Sequence, residues 1–316
     1  MATKINSADP FYFFVEELVP GVTPATGPRY ELPVPTDQAP PVYSTAEIAS
    51  NTKRPNRSSN GSQQGMGSVE WSLTTRLQKS PVFDALLKAG LGGEWVNNKV
   101  AASDKDSSFS ILTTLKKDTA VAPADPNGLY YVDAGVTINS LEFSATAGEG
   151  VNVTFGMLGL SRTTSEAEHG TTPTALAATA REFKYDDLKN VKLTGPNGIV
   201  DLGVSSLTLT IGHEKEIRAI CGQKEGVDIG TSGARATAGT ITIYRESFQI
   251  NSDVTGEPQK LSFEFTRAGV GYRATVPGAI FQKPTDELSG SSVMVSLTYT
   301  GRHDDDAGTD VFIERL

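Results

Sequence analysis

The chain is predicted to be mainly β, and three observations predict it. Gly (31 residues) and Pro (17) are abundant beside many Thr, Ser and Val, a mix that favours strands and turns over helices. Short runs of alternating apolar and polar residues recur between turn-rich stretches. Two of those runs repeat one another at a fixed offset. Of the 316 residues, 38% are apolar and 21% charged, which supports a packed core and argues against wholesale disorder. The length allows two domains or one large β domain, at ~100–200 residues per domain.

Residues 1–43 read as an extended arm. Pro20, Pro24, Pro28, Pro33, Pro35, Pro40 and Pro41 forbid a long helix there. The rings of Phe11, Tyr12, Phe13 and Phe14 then need a partner surface to bury them. Asn51 to Met66 is a polar loop. Ser68 to Leu77 alternates, with Val69, Trp71 and Leu73 on one face and Glu70, Ser72 and Thr74 on the other, the pattern of a half-buried strand. Ser80-Pro81 then opens a helix. Val82, Phe83, Leu86 and Leu87 form its apolar stripe, and Gly90, Gly92 and Gly93 end it. A weaker helix is expected from Pro173 to Tyr185. Strands are expected at Ser108 to Leu115, Val136 to Ala145 and Val151 to Leu160. In the second half they are expected at Val204 to Ile211, Gly239 to Arg245, Lys260 to Thr266, Tyr272 to Val276 and Ser292 to Thr300.

The repeat lies within this list. Gly148-Glu-Gly-Val-Asn-Val-Thr-Phe, ending at Gly159, matches Gly290-Ser-Ser-Val-Met-Val-Ser-Leu, ending at Gly301; both glycine pairs are 142 residues apart (290 − 148 and 301 − 159). Upstream, Gly67-Ser-Val-Glu-Trp matches Gly239-Thr-Ile-Thr-Ile, each after a polar, Gly-rich loop (Asn51 to Met66, Gly222 to Ala238). The expected organisation is therefore two tandem β units, 44–165 and 200–316, behind the arm 1–43 and joined by a linker 166–199.

Chemistry is sparse. The net charge of −9 and pI of about 5.0 argue against a protein that grips nucleic acid by its phosphates. The single cysteine, Cys221, has no disulfide partner and suits a reducing compartment; it reads as a buried, inert thiol. Phe11 to Val15 is too short to span a membrane and lacks the basic flank and cleavage site of a signal peptide. His169, His213 and His303 form no ligand cluster, and the run from His303 to Asp306 reads as a solvated acidic turn. No dinucleotide, P-loop or nucleophile-elbow pattern occurs, so no catalytic, cofactor or metal residue is assigned and no enzyme is expected. Trp71 falls in the apolar phase of its strand and reads as core.

Several segments, in order, resemble the phage tail tube protein family of long-tailed, siphovirus-like phages. They are Phe14-Val-Glu-Glu, Gly21-Val-Thr-Pro, Ser44-Thr-Ala-Glu-Ile, and the Arg54 to Gly65 loop running into Gly67-Ser-Val-Glu-Trp-Ser-Leu. The helix Val82 to Leu91 with Gly92-Gly-Glu-Trp95 follows, then Ile138-Asn-Ser-Leu-Glu-Phe, Val151-Asn-Val-Thr-Phe-Gly and the stretch Gly226 to Ile243. The resemblance implies packed antiparallel sheets with a flanking helix. Its subunits would form stacked rings whose inner sheets join into a ring-wide β-barrel around the DNA path. With two units per chain, three chains would build a pseudo-sixfold ring; the alternative is a hexamer. It also implies a tape measure protein and double-stranded DNA transiently in the lumen, tail terminator and distal tail proteins at the ends, no membrane, assembly in the host cytoplasm, and a place in the virion tail. On this reading Glu70, Glu142 and Glu264, each between apolar strand neighbours, are candidates to line the lumen. Phe11, Tyr12, Phe13, Phe14, Lys53, Arg54, Arg57, Lys224 and Arg235 are candidates for subunit and ring contacts. Competing readings are a head–tail connector, a tail terminator, or a carbohydrate-binding adhesive β-sandwich, which needs an exposed aromatic platform.

Overall fold

The computed structural model describes residues 10–50, 61–105, 107–115, 129–165, 172–174, 181–246, 248–254, 256–289 and 292–316. In the first half the elements are β1 (Phe11–Glu16), β2 (Pro28–Glu31), β3 (Val42–Ala49), β4 (Ser62–Arg76), α1 (Pro81–Leu91), β5 (Lys99–Ala101), β6 (Phe109–Leu115), β7 (Leu129–Thr146), β8 (Asn152–Gly159), β9 (Ser161–Ser165) and β10 (Thr172–Thr174). In the second half come β11 (Leu188–Gly195), β12 (Gly198–Asp201), β13 (Val204–Gly212), β14 (Lys215–Arg218), β15 (Asp228–Thr231), β16 (Ala236–Tyr244), α2 (Gln249–Asp253), β17 (Gln259–Arg267), β18 (Val270–Phe281), β19 (Thr285–Ser289), β20 (Ser292–Arg302) and β21 (Phe312–Arg315).

The fold is mainly β, and its sheets are antiparallel but for the short β2–β10 pair. One long sheet runs β3-β4-β8-β7-β13-β16-β20 and ends on β18 and β19, which pair in succession along the far side of β20. A second layer covers it. In the first half this layer runs β10-β2-β1-β6-β7-β9, and in the second β12-β11-β17-β18-β21-β5. β7 and β18 each belong to both layers. β7 crosses over at Gly135, whose φ of 65° excludes other residues at low cost and whose N–H donates to Glu17 Oε1 at 2.9 Å.

The two halves match in most of their strands, with β5, β10, β14 and β15 lacking a counterpart among the described residues. Leu73 pairs with Phe155 and Ile241 with Leu297, and 297 − 155 = 142, the offset of the glycine pairs. Ile138 pairs with Met157 as Phe281 pairs with Tyr299, and Glu142 with Thr154 as Thr285 with Ser296. Irregularities match too. β6–β7 slips between Phe109 and Ile111, and β17–β18 between Gln259 and Leu261. β7 bulges between Ile138 and Ser140. Five residues, Phe281 to Thr285, oppose four, Tyr299 to Ser296, at the corresponding place. In this correspondence β1, β2, β3, β4, α1, β6, β7, β8 and β9 answer to β11, β12, β13, β16, α2, β17, β18–β19, β20 and β21. The ladder sets β4 against β16 at 241 − 73 = 168, not at the 172 of the Gly67/Gly239 match, so that match is four residues out of register.

Three expectations need correction. Residues 11–31 are no free arm. β1 lies between β2 and β6, with Tyr12 3%, Phe14 1% and Val15 2% exposed, because the chain's own β6 supplies the surface these rings need. The segment 166–199 is not only a linker, since β11 pairs with β17 there. No helix begins at Pro173, which lies in β10 beside β2; residues 175–180 are outside the described residues.

The helix α1 forms as its sequence demands. Ser80 accepts from Phe83 N–H at 3.4 Å, Pro81 starts the first turn, and Gly92 at φ 62° closes the last. Phe83, Leu86 and Leu87 are buried, and Asp84 reaches the second half, accepting from Tyr272 Oη at 2.7 Å and facing Arg315 Nε at 3.1 Å. Phe143 and Phe265 stack across the halves with centroids 6.0 Å apart, so one core serves both.

Candidate assembly interface

The long sheet has two unlike faces. Period-2 alternation puts Val69, Trp71, Leu73, Leu141, Phe143, Phe155, Leu209, Ile211, Ile241 and Leu297 against the second layer, each 5% exposed or less. The opposite face is dominated by hydroxyls. One cross-strand row reads Thr74, Thr154, Glu142, Thr210, Ala238, Thr300. Thr74 and Thr154 share a hydroxyl hydrogen bond of 3.0 Å, and Thr208 Oγ1 accepts from Thr240 N–H at 3.0 Å. Among the described central positions of the six strands from β4 to β20, the charged side chains on this face are Glu70 and Glu142, both exposed.

Glu264 stands elsewhere. It lies on β17 in the second layer, 8% exposed, receives Arg273 Nη2 at 2.6 Å, and accepts from Asn190 Nδ2 at 2.7 Å. Burial raises its pKa, and the Asn190 and Arg273 hydrogen bonds outweigh burial to leave it below the usual carboxylate range. Alternation correctly turned it from Phe263 and Phe265, but the Asn190 and Arg273 side chains occupy the side it turned to.

The contact candidates divide. Tyr12 and Phe14 are core, while Phe11 and Phe13 are half-buried, Phe13 under the Arg29 guanidinium at 4.7 Å. Lys53, Arg54 and Arg57 lie outside the described residues. Lys224 is exposed, and its carbonyl accepts from Gly67 N–H at 3.0 Å, tying the loop beyond β14 to β4. Arg235 is occupied within the chain: its Nε and Nη2 donate to Asp310 at 3.0 and 2.5 Å. Burial raises the Asp310 pKa, and hydrogen bonds from Arg235 and Thr237 more than reverse that.

A catalytic constellation does not assemble among the described residues. No His, Cys, Asp and Glu group there is arranged to hold a metal. His213 is 7% exposed and directs Nε2 at Gly90 O, 2.6 Å away; burial holds its pKa below the ordinary imidazole value. A cleft of about 660 Å3 lies beside His213, Arg218 and Asp228, and Arg218 and Asp228 already pair at 3.3 Å. Cys221 is exposed in a turn, not buried as its apolar neighbours suggested. Trp71 is core, stacked 5.2 Å from Tyr12, and Trp95 is capped by Arg315 at 3.8 Å, so neither offers a platform for sugar. No described helix is long and apolar enough to cross a membrane.

What remains distinctive is the sheet's ends. Among the described residues β3 pairs on one side only, with β4, and is exposed from Ser44 to Ala49; β19 likewise pairs only with β20 and is exposed from Thr285 to Leu288. A two-faced sheet with an exposed strand at each end, and no catalytic constellation among the described residues, fits the class of structural proteins. The family model for phage tail tube protein matches residues 8–301, and the chain belongs to that family. No curated protein matches it. It is thus a structural subunit of the phage tail, one that self-assembles into a stacked tube.

Proposed function

We propose that three chains close one ring of this tail tube, each supplying two equivalent sectors. The observation that supports this is the correspondence of the halves along the long sheet: β3-β4-β8-β7 is followed by β13-β16-β20 and β18–β19, four strands and four. The units of the chain are then best divided near β10, with β1 and β2 in the first and β11 in the second. A joined wall of three chains holds 24 strands. At ~4.8 Å between strands and ~40° of tilt, its backbone circle is roughly 45–50 Å across, wide enough to pass duplex DNA after side chains are added.

The hydroxyl-rich face lines the bore. Glu70 and Glu142 give it a negative wall that repels phosphates, so DNA slides without sticking. A tape measure protein occupies the bore before DNA, and tail terminator and distal tail proteins close the ends. Rings stack through the stretches Asn51 to Met66 and Gly222 to Ala238, and assembly takes place in the host cytoplasm. Native mass spectrometry of rings, or reconstruction of the tube without imposed symmetry, tests the stoichiometry. Three chains per ring are expected, and six would refute it while leaving the tube.

A further inference from the structure

The seam between neighbouring chains can be read residue by residue from a seam the chain already contains. Where the halves meet, β13 lies antiparallel to β7, with Leu209 opposite Phe143, Thr210 opposite Glu142 and Ile211 opposite Leu141. In the duplication β13 answers to β3: Thr210 pairs with Ala238 as Val42 pairs with Glu70. Likewise β7 answers to β18–β19, with Glu142 at the place of Thr285. The two strands that form the internal seam therefore have counterparts at the two open edges.

We propose that β3 of one chain docks on β18–β19 of a second copy in the register of the internal seam, Val42 opposite Thr285, Tyr43 opposite Pro284 and Ser44 opposite Lys283. This rests on the tube reading above and adds the register to it. His213 N–H donates to Asn139 O and Ala147 N–H to Ser205 O, both at 2.8 Å, so odd-numbered β13 residues sit in hydrogen-bonded pairs. Thr210 and Glu142 are then a non-hydrogen-bonded pair, and so are Val42 and Thr285.

The same parity shows how the seam differs from its template. Tyr43–Pro284 and Pro41–Asp286 fall at hydrogen-bonded pairs, where Ile211–Leu141 and Leu209–Phe143 stand internally. Two prolines thus remove two N–H donors from the open edges. Such edges resist pairing with arbitrary strands, and the seam between chains is the weaker of the two. The apolar cost of leaving it open is visible in Leu288, 87% exposed, at the place of Ala145, 2% exposed.

Cysteine pairs test the register. At a non-hydrogen-bonded pair the Cα atoms stand ~4.5 Å apart, inside the disulfide window. In a Cys221→Ser background, Val42→Cys with Thr285→Cys is assembled, viewed by microscopy, oxidised mildly and run on a denaturing gel. The expected result is a ladder of linked chains that stops at three. Thr210→Cys with Glu142→Cys should close within one chain and give no ladder. Each single-cysteine variant controls for folding and tube growth. Tubes with no ladder at 42/285, or with more efficient linkage at a shifted pair such as 42/283, would overturn the register and leave the tube reading standing. A ladder reaching six would keep the register and overturn only the three-chain ring. Hydrogen exchange gives a second reading: on polymerisation the amides of Tyr43 and Asp286 should gain protection, and unchanged exchange at both in confirmed tubes counts against the seam.

Discussion

Phe14→Ala separates a core role for β1 from the role of a free arm. Phe14 is 1% exposed, pairs with Ile111 and Tyr30 in register, and packs its ring 4.4 Å from Phe109. Truncating a buried Phe to Ala costs about 3–5 kcal/mol, the transfer of the ring plus the cavity left behind. Against a total stability of ~5–15 kcal/mol that is a large fraction. It should lower the midpoint of thermal unfolding by on the order of 5–15 °C. The assay is urea unfolding of unpolymerised protein followed by tryptophan fluorescence, since Trp71 stacks on Tyr12 next door. Leu193→Ala, at the corresponding place in β11 and 1% exposed, should cost about 2–5 kcal/mol by the same reasoning. By extension, deleting residues 2–15 should abolish folding and not merely tube growth. A Phe14→Ala protein within about 0.5 kcal/mol of wild type that polymerises poorly would refute the core assignment and restore the arm.

Glu70→Lys with Glu142→Lys should leave tubes intact but slow DNA ejection, most at low salt. Six lysines per three-chain ring in contact with phosphates would change DNA retention by ~10³ between 50 and 200 mM salt, and ejection kinetics insensitive to salt would exclude wall charge as the cause. Asp133 is 0% exposed and takes Arg162 Nε and Nη2 at 2.6 and 2.8 Å, so Asp133→Asn should cost about 3–5 kcal/mol by stranding the guanidinium; a loss below 1 kcal/mol would show that water already serves it. His213 has a lowered pKa in the fold, so the unfolded chain takes up the proton first. Its contribution is present above the unfolded pKa of ~6.5 and lost as pH falls through it; His213→Gln should flatten stability between pH 5 and 7, and an unchanged slope would remove His213 as the source.

The sequence exposed what local pattern controls. The Ser80-Pro81 to Gly92 caps give α1 almost residue by residue and the Val69-Trp71-Leu73 alternation gives the second part of β4, because period and capping are properties of neighbours in the chain; β4 itself begins at Ser62, inside the stretch expected to be a polar loop, where polar side chains and glycines hide the strand. β1 was missed because its buried strand reads as a continuous run, Phe11 to Val15, among prolines that suggest an arm. β11 was missed because its ladder slips between Lys189 and Lys192, where Asn190 takes φ 51°, and the slip breaks the two-residue period. The repeat was legible but not its register at β4, since a period of two matches equally well at any even shift. For Glu264 the alternation gave its side of the strand, while Asn190 and Arg273, which occupy that side, come from other strands and leave no local trace.

The two halves share a wall but not a surface. The hairpin β14–β15 has no described counterpart in the first half, and α1 spans 11 residues where α2 spans 5. On the three-chain proposal such a ring would be close to sixfold along its joined wall and strictly threefold elsewhere. DNA would then meet a nearly uniform circumference, with little angular modulation to trap it at a preferred rotation. Proteins that reach the hairpins would meet three of them 120° apart and could be indexed to them. Duplication followed by divergence of one copy thus separates two demands that a single-unit subunit must meet with the same residues: a smooth track within, and an oriented surface without.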